Sequence, residues 1–333
     1  MREPRFWARD VDPRSREAAP LLRFLLSPFA WIYAEATHRK LANAEPLKVR
    51  PKVICVGNLT AGGVGKSPVV GALRAHFQTS TDLRVATLSR GYKGKLDGPL
   101  RVDPTQHTAA DVGDEPIMLA ASGESWIGAD RAATGQAMSN DGVDIIIMDD
   151  GHQNPGLYKD LSLIVVDATA GFGNGHVIPK GPLREPVAEG LKRADAIIVM
   201  GYGTPPDQIE QSGLPVFRGT LTARTAPPEE TYVAFAGIGR PEKFFDTLAR
   251  LDVDVKDAVP FPDHHAYSNG DLEYLARLAA DYGAKLITTE KDLARLTPEQ
   301  RSGIISLPVD VEFDRKADLD TMLANMIKPG SNE

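Results

Sequence analysis

The stretch that most restricts the fold is Val53-Ile54-Cys55-Val56-Gly57-Asn58-Leu59-Thr60-Ala61-Gly62-Gly63-Val64-Gly65-Lys66-Ser67-Pro68. An apolar run of strand character enters a glycine-rich turn, which ends in Gly-Lys-Ser and opens a helical pattern over 68–77. Glycines let successive N–H groups turn toward phosphate oxygens, and a helix N-terminus adds positive potential. The pattern predicts a nucleotide-binding loop made of Thr60, Ala61, Gly62, Gly63, Val64, Gly65, Lys66 and Ser67. Lys66 is placed to reach the β- and γ-phosphates of the nucleotide, and the Ser67 hydroxyl to ligate Mg²⁺. Thr60 stands where the general pattern has its first glycine.

Short β-branched runs alternate with helical patterns from Pro51 onward, as in βαβ units on a mostly parallel sheet. Buried strands are predicted at 52–56, 84–88, 143–148, 162–166 and 196–200. The segment 213–230 is rich in Pro, Thr and Gly and reads as a linker. Beyond it the pattern restarts, with strands at 232–236 and 285–289 and helices around 242–250 and 271–282. The expected fold is α/β: a P-loop NTPase-like, mostly parallel sheet with helices on both faces, plus a smaller second α/β lobe. Its expected parts are an N-terminal apolar segment (1–50), a P-loop core (51–225) and a C-terminal lobe (226–333). A length of 333 residues carries two domains comfortably. The single cysteine, Cys55, lies inside an apolar run and reads as a core residue, which excludes an internal disulfide framework. A net charge of −7 gives no support to general nucleic-acid binding. The polar tail after Lys328 reads as frayed.

Residues 20–36, PLLRFLLSPFAWIYAEA, are apolar and followed by His38-Arg39-Lys40. Arg23 and Pro28 interrupt the run, which is shorter than a membrane span needs. Ala34-Glu35-Ala36 imitates a signal-peptide cleavage site, but the acids Glu3, Asp10, Asp12 and Glu17 precede it. Two readings stand: a helix in the membrane interface, or one packed on the protein's own core.

A phosphate-binding loop needs an acid at the end of a neighbouring strand, and Asp149-Asp150 follows the run 143–148. Successive side chains on a strand point to opposite faces, so one aspartate faces the metal and the other does not. The guanine-reading Asn-Lys-x-Asp is absent, which favours ATP. Further polar, glycine-rich clusters follow predicted strands, where ligands bind in open α/β sheets. They are Ser89–Tyr92, Gly113–Pro116, Asp149–Gln153, Gly171–Gly175 and Pro179–Pro186, expected together around one cleft. Within them Arg90, Lys180 and Arg184 suit an anionic group of a substrate. In the second lobe, Asp263-His264-His265 suits proton transfer better than zinc, which needs three or four ligands.

Together these segments resemble the tetraacyldisaccharide 4'-kinases, the lipid A 4'-kinases of Gram-negative bacteria. The motifs that carry the resemblance are Gly57–Pro68, Ser89–Tyr92, Gly113–Pro116, Asp149-Asp150-Gly151-x-Gln153, Phe172–Gly175, Gly181–Glu185, Ala236–Pro241, Asp263-His264 and Thr288–Asp292. The resemblance implies transfer of the ATP γ-phosphoryl group to the 4'-hydroxyl of a tetraacyldisaccharide 1-phosphate. It also implies a peripheral protein on the cytoplasmic face of the inner membrane, which favours the interfacial reading of 20–36. By motif, Ser67 with Asp149 or Asp150 holds Mg²⁺, with Glu115 a further candidate. Asp114 and His264 activate the hydroxyl beside Lys66, and Asn58, Arg90, Gln153 and Arg184 lie on the substrate side. Where the family commonly has His after Gln153, this chain has Asn154, and Lys180 stands where a small residue is common. His264 and Lys66 fall in different expected lobes, which predicts a site between lobes that closes on its substrates. The alternatives are a P-loop switch or partitioning ATPase acting on a protein partner, and a soluble ATP-dependent ligase.

Overall fold

The computed structural model describes residues 4–12 and 14–328; the tail predicted to fray lies almost wholly outside them. The chain forms two compact units that interleave along the sequence. One gathers the N-terminal part up to Arg90, then Asp130–Thr220 and the part from Val311 onward; the other gathers Gly91–Ala129 and Leu221–Asp310. A linear cut near 225 is therefore replaced by a threaded arrangement, in which Gly113–Pro116 belongs with the C-terminal residues.

In the first unit the strands Val216–Ala223, Ala196–Met200, Leu161–Asp167, Lys52–Gly57, Ile145–Asp149 and Val85–Ser89 lie side by side in that order. All five neighbouring pairs are parallel, with Val56 opposite Asp149 and Leu163. The central strands are buried along almost their whole length, as expected of continuous Val/Ile/Leu runs covered on both faces. Cys55 is wholly buried, and burial pushes its thiol up to about 11, so it packs as a small apolar group. The segment predicted as a linker instead contains the strand Val216–Ala223. Its alternating half-buried pattern is weaker than the continuous runs of the inner strands, which explains why composition hid it.

The apolar N-terminal segment is a helix, Pro20–Ala42, which runs through Pro28. Only Ala30 is buried along it, while Phe24 and Trp31 keep 73% and 68% of their surface exposed. Among the described residues no helix is long and apolar enough to cross a membrane.

The second unit holds a four-stranded sheet in the order Asp254–Pro260, Thr231–Ala236, Lys285–Thr289, Ile304–Leu307, all parallel. The helix Asn269–Asp281 starts at a capping box between Ser268 and Asp271 and packs Leu275 and Ala279 on the sheet. The short helix Asp114–Ala120 packs in the same unit against the helix Glu290–Arg295.

Candidate active site

The phosphate-binding loop follows the strand Lys52–Gly57 and ends on the helix Lys66–Ser80. Gly62 and Gly65 have φ of +103° and +93°, a region that disfavours side chains, so glycine makes this turn possible. The Ala61 N–H donates to the Pro182 carbonyl at 2.7 Å and the Arg184 N–H to the Leu59 carbonyl at 2.8 Å. These bonds fix the loop against the Pro179–Pro186 segment. Gly62 and Gly63 stay exposed, while Thr60 is buried beside Leu183.

Lys66 lies 3.3 Å from Asn58 Oδ1 and 3.5 Å from Asp150 Oδ1. Asn58 is wholly buried and donates to the Thr60 carbonyl at 2.7 Å, so it braces the loop. Expected on the substrate side, Asn58 here spends its amide on the loop and on Lys66. The two aspartates diverge because Asp150 adopts φ +54°, which turns the chain just past the strand. Asp149 faces Ser67, with Ser67 Oγ 3.3 Å from Asp149 Oδ2. Asp150 instead accepts from Arg184 at 2.8 Å. Burial works to raise the Asp150 carboxyl, but Lys66 and Arg184 outweigh it and hold it down at about 2.

Gln153 donates to the Asn58 carbonyl and to Glu185 Oε1, both at 2.9 Å, and Glu185 takes both oxygens' bonds from Arg193 at 2.8 Å. Gln153 and Arg184 thus belong to one polar network that reaches the loop through Asn58 and Asp150. Arg90 is exposed just beyond the strand Val85–Ser89. His152 is buried, hydrogen-bonded to the Gly190 carbonyl at 2.9 Å, and pushed down to about 3 by burial. It is a neutral core residue at working pH. The Phe172–Gly175 loop also turns inward. Asn174 donates to the Phe6 and Lys180 carbonyls, and Trp7 donates to the Pro179 carbonyl. That loop anchors the N-terminal turn. Lys180 lines a cavity of about 380 Å³ beneath the helix Pro20–Ala42, with Ala30, Trp31, His176 and Val187.

The second unit assembles its own cluster. Asp114, 7% exposed, accepts on Oδ2 from Arg295 Nε at 2.9 Å and Nη2 at 2.6 Å. His264 Nδ1 sits 2.8 Å from the same oxygen, and the Tyr92 ring meets the imidazole edge-on at 5.8 Å. Burial works to raise the Asp114 carboxyl, but His264, Lys291 and Arg295 hold it well below the usual carboxylate range. His264 itself has φ +56°, outside the region a histidine prefers. Its N–H donates to the Gly237 carbonyl at 3.0 Å, which helps hold it there. His265 bonds Asp271 at 3.1 Å instead, so the two neighbouring histidines have separate partners.

Glu115 pairs with Lys291 at 2.9 Å within this cluster. Of the five polar clusters, Gly113–Pro116 belongs to this unit, and Ser89–Tyr92 spans the boundary between the two units. Lys291 and Arg295 had no assigned role in the sequence. Lys291 had one signal, its place in Thr288–Asp292 at the end of the run of family motifs, and Arg295 had none.

A family profile described as "Tetraacyldisaccharide-1-P 4'-kinase" matches residues 22–328. The chain belongs to the tetraacyldisaccharide 4'-kinase family. Two curated members named tetraacyldisaccharide 4'-kinase are 57% identical in Hyphomonas neptunium and 48% in Maricaulis maris. The alignments cover 98% of this chain and 98% and 97% of those relatives. Among solved structures, "apo" form LpxK from Aquifex aeolicus in complex with ATP is similar at a TM-score of 0.72 and 26% identity. That match covers 92% of this chain and 100% of the other. The 4'-kinase family thus shares the P-loop NTPase-like α/β fold of this chain, and one solved member carries ATP.

Proposed function

We propose that this protein transfers the γ-phosphoryl group of ATP to the 4'-hydroxyl of a tetraacyldisaccharide 1-phosphate, a step in lipid A biosynthesis. Near-full-length similarity to proteins of that name carries the reading and selects the kinase over a switch ATPase. In the reaction the 4'-oxygen bonds to the γ-phosphorus, the bond from that phosphorus to the β–γ bridging oxygen breaks, and ADP leaves. The hydroxyl proton passes to the Asp114–His264 pair.

Phosphoryl transfer asks the protein mainly for position and charge. The loop amides and Lys66 would neutralise charge on the β- and γ-oxygens. Binding ATP draws Lys66 from the 3.5 Å contact with Asp150 toward the phosphates. Arg184 then keeps Asp150 paired at 2.8 Å. Ser67 and Asp149 present a hydroxyl and a carboxylate, the oxygen donors Mg²⁺ prefers, and fit a metal completed by nucleotide oxygens and water. When bound, Mg²⁺ supplies further charge neutralisation on the phosphates.

The exposed Leu, Phe and Trp side chains of Pro20–Ala42, with Arg39 and Lys40 in its last turn, suit a helix lying in an anionic interface. The helix supports a peripheral protein meeting its lipid substrate at a membrane surface, and the family likeness favours the cytoplasmic face of the inner membrane. The test is a transfer assay in mild detergent with radiolabelled ATP, Mg²⁺ and tetraacyldisaccharide 1-phosphate. Label enters the lipid with the parent enzyme and not with Lys66→Ala. Label released only as free phosphate would defeat the reading.

A further inference from the structure

The helix Glu290–Arg295 brings a cation onto Asp114 and fastens that cation from behind. Arg295 places Nε and Nη2 on Asp114 Oδ2 at 2.9 and 2.6 Å. Its Nη1 reaches the other way, to the Gly237 carbonyl and to Asp292 Oδ1, each at 2.6 Å. Asp292 is wholly buried, and the same Oδ1 accepts from the Tyr267 hydroxyl at 2.9 Å and the Gly237 N–H at 3.0 Å. Its Oδ2 accepts from the Thr289 hydroxyl at 2.7 Å, so the anchor is itself anchored. A Cβ on residue 237 would lie 3.0 Å from the Tyr267 oxygen and 3.2 Å from Asp292 Oδ1. Glycine there lets the backbone come close enough to hold both Asp292 and, through its carbonyl, the His264 N–H.

The arrangement is directional. The Arg295 side chain is 6% exposed and Asp114 9%, so their attraction is little screened by water. A guanidinium presents donors in a fixed fork, so a carboxylate that accepts from it is fixed in place as well as in charge. Lys291 stands 3.9 Å from the same oxygen but pairs more closely with Glu115, at 2.9 Å. It therefore cannot substitute for Arg295.

We propose that Arg295 is a positioning residue for phosphoryl transfer, holding Asp114 ionised and aimed while Asp292, Tyr267 and the Gly237 backbone hold Arg295. The inference rests on the reading of Asp114 as part of the proton-accepting pair. It assigns Arg295 no contact with ATP or lipid. Because it acts through Asp114, its removal affects kcat and leaves the KM for ATP alone.

The experiment compares steady-state kinetics of Arg295→Ala, Arg295→Lys, Asp114→Ala and the double variant, each checked for a cooperative thermal transition. Arg295→Ala is expected to lose roughly 100-fold in kcat with the KM for ATP within about twofold of the parent. Arg295→Lys keeps the charge but not the fork and is expected to lose roughly tenfold. Added guanidinium chloride at millimolar concentration restores part of the activity of Arg295→Ala, which a purely structural lesion does not allow. In the Asp114→Ala background, Arg295→Ala costs nothing further, because both changes remove one device. A folded Arg295→Ala enzyme with kcat within threefold of the parent overturns the proposal, as does an undiminished penalty in the Asp114→Ala background. If Arg295→Ala does not fold, Arg295→Lys decides: parent kcat refutes the positioning role, and a loss confined to kcat supports it. An Asp114→Ala enzyme of parent activity removes the premise itself, and the reading of the proton-accepting pair falls with it.

Discussion

Two aspartates in this protein are held ionised by cations, and they are held differently. Asp150 meets Lys66 at 3.5 Å and is a third exposed, so that contact is loose and open to competition. On the proposed function its lysine serves the phosphates, and a triphosphate would compete for it. Asp114 meets Arg295 at 2.6 Å with both side chains almost fully buried, and Arg295 is fastened by Asp292 on its far side. The first pairing is an exchangeable one that sets Lys66 in place before nucleotide arrives. The second is much harder to release, because both groups are buried and water cannot take the place of the contact. Substrate binding can reuse cations held loosely, while a proton-transfer group needs a fixed field.

That contrast can be broken at several points. Replacing Lys66 by Ala is expected to have the largest effect, a loss of roughly a thousandfold or more in kcat/KM, since one group serves both binding and transition-state charge. His264→Ala is expected to lower kcat by roughly 100-fold with ATP affinity retained, the scale of a lost general acid–base group. Equal losses in ATP affinity for the two variants would erase the distinction drawn here. Ser67→Ala is expected to raise the half-saturating Mg²⁺ concentration by roughly tenfold, measured by titrating the metal at fixed ATP. Phe24→Ser combined with Trp31→Ser should reduce partition into anionic vesicles about tenfold, read by co-sedimentation, with turnover of detergent-dispersed substrate unchanged.

The smallest effect concerns acid. An Asp150 carboxyl held at about 2, against an unfolded value near 4, contributes stability that is fully present above pH 4 to 5. That contribution fades as the pH falls toward 2. Arg184→Gln raises the folded value, so unfolding free energy should vary less steeply between pH 5 and 2 in the variant. An unchanged slope would show that Arg184 does not hold Asp150 down.

The loop was legible in the sequence because it is local, and the Asp149-Asp150 pair because it closes an apolar run, although which of the two faces Ser67 was not. Gly62 to Ser67 follow one strand, and Asp149 ends a strand paired to it through Val56. The Asp114 cluster joins residues 114, 264 and 295, and no periodicity or spacing connects them; only the resemblance pointed to the first two. Arg295 was invisible, since a charged residue at the end of a short helix reads as solvated until the fold buries it. The strand at 216–223 escaped because Pro, Thr and Gly dominate its surroundings. The glycine loops misled in the other direction. Phe172–Gly175 has the composition of a ligand loop, yet its asparagine is spent on the N-terminal turn. The helix Pro20–Ala42 runs through Pro28, as both readings of residues 20–36 require, although proline ordinarily breaks a helix.

The most direct test of the account separates binding from chemistry in one variant. Asp114→Asn would be compared with the parent by calorimetric ATP titration and by single-turnover transfer of label from ATP to tetraacyldisaccharide 1-phosphate. The account predicts an ATP Kd within about twofold of the parent and a transfer rate lower by roughly 100-fold or more. A Kd that weakens in step with the rate, or a rate that does not fall, would contradict it.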